Sequence, residues 1–311
     1  MRTLNRNRPI KEEEIWTLET EISHAEYDLG FIIGQPPEAG FVRRRIANEA
    51  KMEVMRHAST FLHPSLANDN GDWPAPEYAL VVLNQHLPRF APLLWQRAKL
   101  RLCADGGANR LFDGMPELLP DEDPEKVRVR YKPDVIKGDM DSIRSEVMSF
   151  YSDLGVKIVD ESHDQDTTDL HKCINFISDC TAFSDKANLR VLVVGALGGR
   201  FDHEIGNINV LYRFSNMHII LLSDDCLIYL LSKVCHHEIH IQSEVEGPHC
   251  GLIPIGSPSA STTTTGLQWN LDKTGMHFGG LVSTSNMIQD GLITVHSDSD
   301  LLWTITIRKP S

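Results

Sequence analysis

The sequence predicts an α/β domain followed by an all-β region: a doubly wound, mostly parallel sheet and then a C-terminal β-sandwich. Three observations predict it. Between residues 76 and 224, short apolar runs alternate strictly with amphipathic stretches. Those apolar runs are continuous rather than alternating, the pattern of parallel strands covered on both faces. After Asp225 the helical periods stop, and short β-rich runs separated by Gly, Pro, Asn, Asp and Ser take over.

Taken in order, "YALVVLN" is a buried strand, "PLLWQRA" a helix, "LRLCAD" a strand and "ANRLFDGM" the start of a helix. "PDVIKGD" is the next strand, and "SIRSEVMSFYSDLG" a helix closed by Gly155. Strand "VKIVD", helix "TDLHKCINFISDC", strand "LRVLVVGA", helix "FDHEIGNINVLYRF" and strand "MHIILLS" continue the alternation. Ligands of such a domain belong at the carboxyl ends of its strands. In residues 225–311, "CLIYLLS", "HEIHIQSEV", "CGLIPIG", "GLQWNL", "GGLVSTSN", "GLITVHS" and "LLWTITIR" read as the strands of the sandwich.

Residues 1–75 read as an extension without chemistry. Ile15, Leu18, Ile22 and Ala25 recur at helical spacing, and "VRRRIANEAKMEVMRHA" reads as a second charged helix. "HPSLANDNGDWPAPE" then has the composition of a linker.

Composition narrows the function. A net charge of -13 argues against nucleic acid or an anionic membrane as the main partner, since phosphate surfaces select basic faces. No apolar run approaches the roughly 20 residues a membrane helix needs. Six cysteines without a CxxC pair read as buried reduced thiols, which points to a reducing compartment. "KEEE" soon after the arginines of the N-terminus weakens a transit-peptide reading, so a cytoplasmic location is expected.

The chemistry-bearing residues cluster where the strand-end rule puts a site. "CADGGANR" brings Asp105, Gly106 and Gly107, and "KGDMDS" brings Asp139 and Asp141. "HDQDTTD" brings Asp164, Asp166 and Asp169, and "GALGGRFDH" brings Gly195, Gly198, Gly199, Arg200 and Asp202. Asp139 and Asp141 stand two positions apart and repel each other unless a cation lies between them. Grouped carboxylates are hard oxygen ligands suited to Mg²⁺, which bridges to substrate phosphates. Glycines let backbone N–H groups approach phosphate oxygens, and an arginine offers them a fork. Magnesium-nucleotide chemistry follows from the combination.

Each piece also has a plainer reading. Asp-x-Asp occurs in solvated loops, "GGANR" in tight strand-to-helix turns, Asp166 or Asp169 as helix caps, and Arg200 with Asp202 as a structural ion pair. Neither GxxxxGK[ST] nor GxGxxG is present, which removes the P-loop and the usual dinucleotide fold. "CHHEIH" suggests zinc, but neighbours on a strand point to opposite faces, so surface and interface histidines are the favoured reading. Trp303 reads as core, whereas Trp269 sits beside polar residues and is open to a stacking role.

In order and spacing, "CADGGANRLFD", "IKGDMDS", "DQDTTDLHKC", "GRFDH", "GLQWNL" and "STSN" resemble the eukaryotic thiamine pyrophosphokinases, from about Tyr78 to Arg308. The resemblance implies a homodimer with its site at the subunit interface, moving the pyrophosphoryl group of ATP to the hydroxyethyl oxygen of thiamine. It implies that Asp139, Asp141 and Asp169 bind Mg²⁺ with Asp105 in support. Gln165, Thr168 and Arg200 would contact nucleotide phosphates. Trp269, Ser283, Ser285 and Asn286 would line the thiamine pocket from across the dimer. Asp141 or Asp169 would take the hydroxyl proton.

Two rivals remain. A DxD-type phosphatase needs its pair at the first strand, but at least two strands precede "GDMDS". A thiamine sensor would have no use for a magnesium cluster.

Overall fold

The computed structural model describes residues 53–63, 75–183 and 185–309. The helix expected around Ile15 to Ala25 and most of the linker lie outside them. Within the unit from Met52 to Ser311, two sheets carry the architecture.

The elements are β1 (Glu53–Ala58), β2 (Glu77–Val82), α1 (Ala91–Arg97), β3 (Leu100–Ala104), α2 (Gly107–Leu118), α3 (Pro124–Arg130), β4 (Val135–Gly138), α4 (Ser145–Asp153), β5 (Lys157–Asp160) and α5 (Asp169–Asp179). There follow β6 (Leu189–Val194), α6 (Phe201–Arg213), β7 (His218–Leu222), β8 (Cys226–Leu231), β9 (Cys235–His240), β10 (Glu246–Ile253), β11 (Ser259–Thr265), β12 (Thr274–Met276), β13 (Ser283–Met287), β14 (Leu292–Ser297) and β15 (Leu301–Ile307).

The larger sheet has ten strands in the order β13-β10-β15-β8-β7-β6-β2-β3-β4-β5. Strands β7 to β5 in that order are parallel, and the antiparallel partner β8 begins the other part. The chain steps outward from β2 through β5 and then returns to β6 on the other side of β2. That reversal opens a crevice at the carboxyl ends of β2 and β6.

Both faces of the parallel part are buried, as its continuous apolar runs require. Leu80 and Val82 join a core with Leu94, Leu111, Met115 and Val147 of α1, α2 and α4. Ala79 and Val81 face the opposite core with Leu170, Ile174, Val210 and Leu211 of α5 and α6.

The β-sandwich shares a layer with the α/β domain. Strands β8, β15, β10 and β13 extend the parallel sheet without a break at Asp225. Against them lies a five-stranded sheet, β1-β9-β14-β11-β12. Ile239, Ile293 and Val295 of this sheet share one core with Trp303 and Ile305 of the larger sheet and with the helices α1 and α2.

Strand β1 corrects the reading of residues 53–58 as helix and extension. Glu53 to Ala58 pairs residue for residue with Cys235 to His240, in parallel. Glu, Met, Arg and Ala favour helix locally, but tertiary pairing outweighs that weak preference. His57 is buried while Arg56 is exposed, as a strand with one covered face requires.

Candidate active site

Four strand ends and two helix starts converge on a cavity of about 450 Å³. Its lining includes Asn84 and Gln85 after β2, Asp105 after β3, Asp139 after β4, and Gly195 and Gly198 after β6. Thr168 and Asp169 enter from the start of α5, and Arg200 and Asn207 from α6.

The acidic core of the site is built tightly. One carboxylate oxygen from each of Asp105, Asp139 and Asp141 lies within 4.8 Å of the others. Asp105 is almost fully buried and accepts from the backbone N–H groups of Ser142 (2.9 Å) and Ile143 (3.0 Å). These bonds tie the end of β3 to the "DMDS" loop. Gly138 explains how the carboxylates approach. A Cβ there would lie 2.7 Å from Cβ of Asp105 and 2.9 Å from Oδ1 of Asp169. Gly107 performs a similar service at the start of α2, where a Cβ would meet the carbonyl oxygen of Val82 at 2.0 Å.

Electrostatics mark the cluster as short of positive charge. Burial, and then the charges of Asp139 and Asp105, push Asp169 up to about 6. Lys172 opposes that shift, its Nζ standing 3.7 Å from Oδ1 of Asp169. This oxygen is buried and has no hydrogen-bond partner among the described residues. Burial, helped by the Asp139 charge, also raises Asp105 against its two backbone donors. A buried carboxylate oxygen that no hydrogen bond satisfies, with two further carboxylates acting on it and one lysine at 3.7 Å, suits a hard divalent cation.

The remaining sequence-selected residues fall in different places. Thr168 caps α5 by accepting from the N–H of His171 (3.3 Å), so Asp169 is the first helical residue rather than the cap. Gln165 donates to the carbonyl of Ser162 (2.8 Å) and does not line the cavity. Arg200 lines the cavity but is exposed and forks onto Asp202, through Nε at 3.1 Å and through Nη2. Gly106 lines the cavity; Gly107 and Asp141 do not.

Trp269, Ser283, Ser285 and Asn286 also lie outside the lining of this cavity. Trp269 is 56% exposed. Asn286 is buried and holds the tryptophan's turn: Oδ1 accepts from the Trp269 N–H (3.2 Å) and Nδ2 donates to its carbonyl (2.9 Å). Asn286 thus positions Trp269. Ser285 adopts a positive φ of 56°.

Sequence reasoning missed Asn84, Gln85 and Asn207. The first two follow the strand "YALVVL" directly, so the strand-end rule was the signal that points to them. The surface reading of "CHHEIH" is corrected for His237, which is buried on the inner face of β9, while Cys235 is buried there as the cysteine reading expects.

The family models decide the relationship. One for the thiamin pyrophosphokinase catalytic domain matches residues 91–221, and one for the thiamin pyrophosphokinase vitamin B1 binding domain matches 236–302. Thiamine pyrophosphokinase 1 of Oryza sativa subsp. japonica is 66% identical over 265 residues, covering 83% of this chain and 99% of that protein. The chain belongs to the thiamine pyrophosphokinase family.

Thiamine pyrophosphokinase 1 of Arabidopsis thaliana is 64% identical over 258 residues, covering 83% of this chain and 95% of that protein. The crystal structure of yeast thiamin pyrophosphokinase superposes with a TM-score of 0.68 at 26% identity, over 82% of this chain and 91% of that one. Thiamine pyrophosphokinases are ATP-dependent pyrophosphotransferases, and that is the activity of this chain. The catalytic match contains the whole acidic cluster, and the vitamin B1 match contains Trp269 and its turn.

Proposed function

We propose that Asp105, Asp139, Asp141 and Asp169 hold Mg²⁺ against the phosphates of ATP, and that thiamine is presented to them on Trp269 of a second subunit. The observation that carries this reading is the buried Oδ1 of Asp169, which no hydrogen bond satisfies and only Lys172 approaches, beside carboxylates whose charges raise the proton affinity of Asp169 and Asp105. Mg²⁺ there would neutralise charge on the phosphates as it shifts toward the leaving AMP.

The protein's own residues then position and receive. The hydroxyethyl oxygen of thiamine bonds to the β-phosphorus of ATP, and the bridge from α-phosphate to β-phosphorus breaks. AMP leaves with that bridging oxygen. Asp141 or Asp169 would accept the hydroxyl proton. Arg200 exchanges Asp202 for a phosphate oxygen, a small cost for an exposed pair. Asn84 and Gln85 join it from the β2 side of the crevice.

Two features support a homodimeric site. The thiamine-side residues do not line the nucleotide cavity of their own chain. Trp269, Phe278 and Leu281 are also large apolar side chains left exposed. An exposed indole face suits a thiazolium cation once water is excluded. No helix among the described residues is long and apolar enough to cross a membrane. The six free thiols support a cytoplasmic setting.

Product analysis with thiamine, ATP and Mg²⁺ tests the reaction: AMP is expected one-for-one with thiamine diphosphate. ADP with thiamine monophosphate would keep the site and change the chemistry. The metal assignment is tested by Asp141→Asn, which should abolish turnover in a folded protein. Near-normal activity in that variant would remove it.

A further inference from the structure

A second cavity, of about 610 Å³, lies at the opposite ends of the same strands. Arg190 and His218 line it from the starts of β6 and β7, where they are direct partners across the sheet. His57 and Ser59 enter from the β1 side, and Asn188 and Gln242 from the two loops beside them. Strand β6 spans six residues, so this cavity stands roughly 20 Å from the nucleotide crevice.

Two arginines line this cavity; Arg56 is paired with Glu238, and Arg190 is the one that no ion pair among the described residues engages. Its Nη1 donates to the carbonyls of Ala187 (3.1 Å) and Leu189 (3.2 Å), and no carboxylate lies within ion-pair distance of it among the described residues. Asp185 on the same wall acts on Arg190 from beyond ion-pair distance, so the largely buried guanidinium still favours an anion there.

Beside it runs a directed relay of imidazoles. The Ser232 carbonyl can only accept, so Nε2 of His237 carries a proton toward it (2.9 Å). Nδ1 of His237 then accepts from Nε2 of His57 (3.0 Å), and Nδ1 of His57 from Nε2 of His218 (3.1 Å). That order leaves Nδ1 of His218 as the relay's vacant nitrogen, buried and without a partner among the described residues. Burial keeps the rings neutral, and the charge of Arg190 adds to this at His57 and His218. Tyr229 stacks on His57, His240 lies near, and Glu53, Arg56 and Asp185 are the other charged groups on the cavity wall.

We propose that this cavity is a second anion site, taking a phosphate-bearing small molecule on Arg190 and coupling its binding to proton uptake by the His218–His57–His237 relay. An anion on Arg190 cancels the repulsion that keeps a proton off His218. The shared ligand chemistry is the phosphate group, whether carried by a product of the reaction or free in solution.

Calorimetry of the full chain in EDTA tests it, because without metal the carboxylate cluster repels anions. Inorganic phosphate should bind saturably, and Arg190→Gln should weaken it at least tenfold while leaving turnover with Mg²⁺ unchanged. Sulfate, whose charge is fixed from pH 7.5 to 6.0, should bind at least threefold tighter at the lower pH. In the unmutated protein, the imidazole ¹⁵N resonances of His218 should move toward the protonated position as anion is added. Binding of AMP or thiamine diphosphate that is tighter than phosphate and lost in Arg190→Gln would name the reaction's own products as ligand; product binding unaffected by Arg190→Gln would name free phosphate. No saturable binding, or equal affinity in Arg190→Gln, overturns the site. A flat sulfate profile with unmoved His218 resonances overturns the proton coupling.

Discussion

At the carboxyl ends of its central strands the chain gathers Asp105, Asp139 and Asp169; at the amino ends of β6 and β7 it gathers Arg190 and His218, joined to the imidazoles of His57 and His237 on the facing sheet. The first group is negative, with Lys172 alone against Asp169, and is the site proposed for Mg²⁺. The second is held neutral by burial, apart from one arginine. Loops that follow parallel strands can carry functional groups with little cost to the sheet. Groups at the strand starts are woven into the packing between the two sheets. Changes at the first end should therefore cost activity, and changes at the second should cost stability.

The largest effect expected is at the acidic end. Asp139→Asn should lower turnover by about a thousandfold or more, in line with losing a group that holds the metal and its phosphates. The same change removes a charge that raises both Asp169 and Asp105. Without Mg²⁺, thermal unfolding should therefore occur at the same temperature or higher. A variant both inactive and unfolded would break the distinction between the two ends.

His57→Ala is the counterpart. It deletes a buried ring that stacks on Tyr229 with centroids 4.6 Å apart and makes two relay bonds. The loss should be about 2–4 kcal/mol of stability in a denaturant titration. Turnover per folded molecule should be unchanged. A selective loss of turnover would show that the two ends of the sheet are coupled.

The two ends differ equally in how far the sequence revealed them. Asp105 and Asp139 follow an apolar run directly and Arg200 stands six residues after another, so reading the strands locates the acidic edge, while Asp169 is found from the helix start nine residues after β5. Asp105 was read only as support, because its approach to Asp139 and Asp141 depends on bonds from Ser142 and Ile143 rather than on spacing. Asn84 and Gln85 carry no charge to draw notice. The relay joins positions 57, 218 and 237, between 161 and 180 residues apart at each bond, and no local pattern announces it. Its first member lies in a segment with helical preferences that becomes a strand only because β9 pairs with it.

Acid titration should report the same contrast. His237 is held down at about 4 by burial, against an ordinary value of 6.5. Above 6.5 both folded and unfolded states hold it neutral, and its contribution is fully present. As pH falls from 6.5 to 4 the unfolded chain takes up the proton first, so stability is lost, by about 3 kcal/mol from this group alone. His57 and His218, lowered in the same sense, steepen that loss. Denaturant midpoints at pH 7.5 and 5.0 measure it, and replacing His237 with Gln should flatten the profile.

Trp269→Ala addresses the face offered to thiamine. The indole is more exposed than buried, and its turn is held through the backbone by Asn286. Its removal should leave stability within about 1 kcal/mol and raise KM for thiamine about tenfold or more, with KM for ATP unchanged. An equal rise for both substrates would move Trp269 away from the thiamine subsite.

The smallest effect expected concerns what holds β1 in place. Arg56 pairs with Glu238 across the β1–β9 ladder at 2.9 Å, with side chains 45% and 29% exposed. An ion pair in that setting contributes less than about 1 kcal/mol and weakens with salt. Arg56→Ala should therefore cost far less than His57→Ala one residue along the same strand. A double-mutant cycle with Glu238→Gln, run at low and high salt, separates the pair from the ladder. A coupling near that of the buried ring would mean that charge, rather than the six-residue pairing and the imidazole beneath it, fixes the strand that completes the amino end.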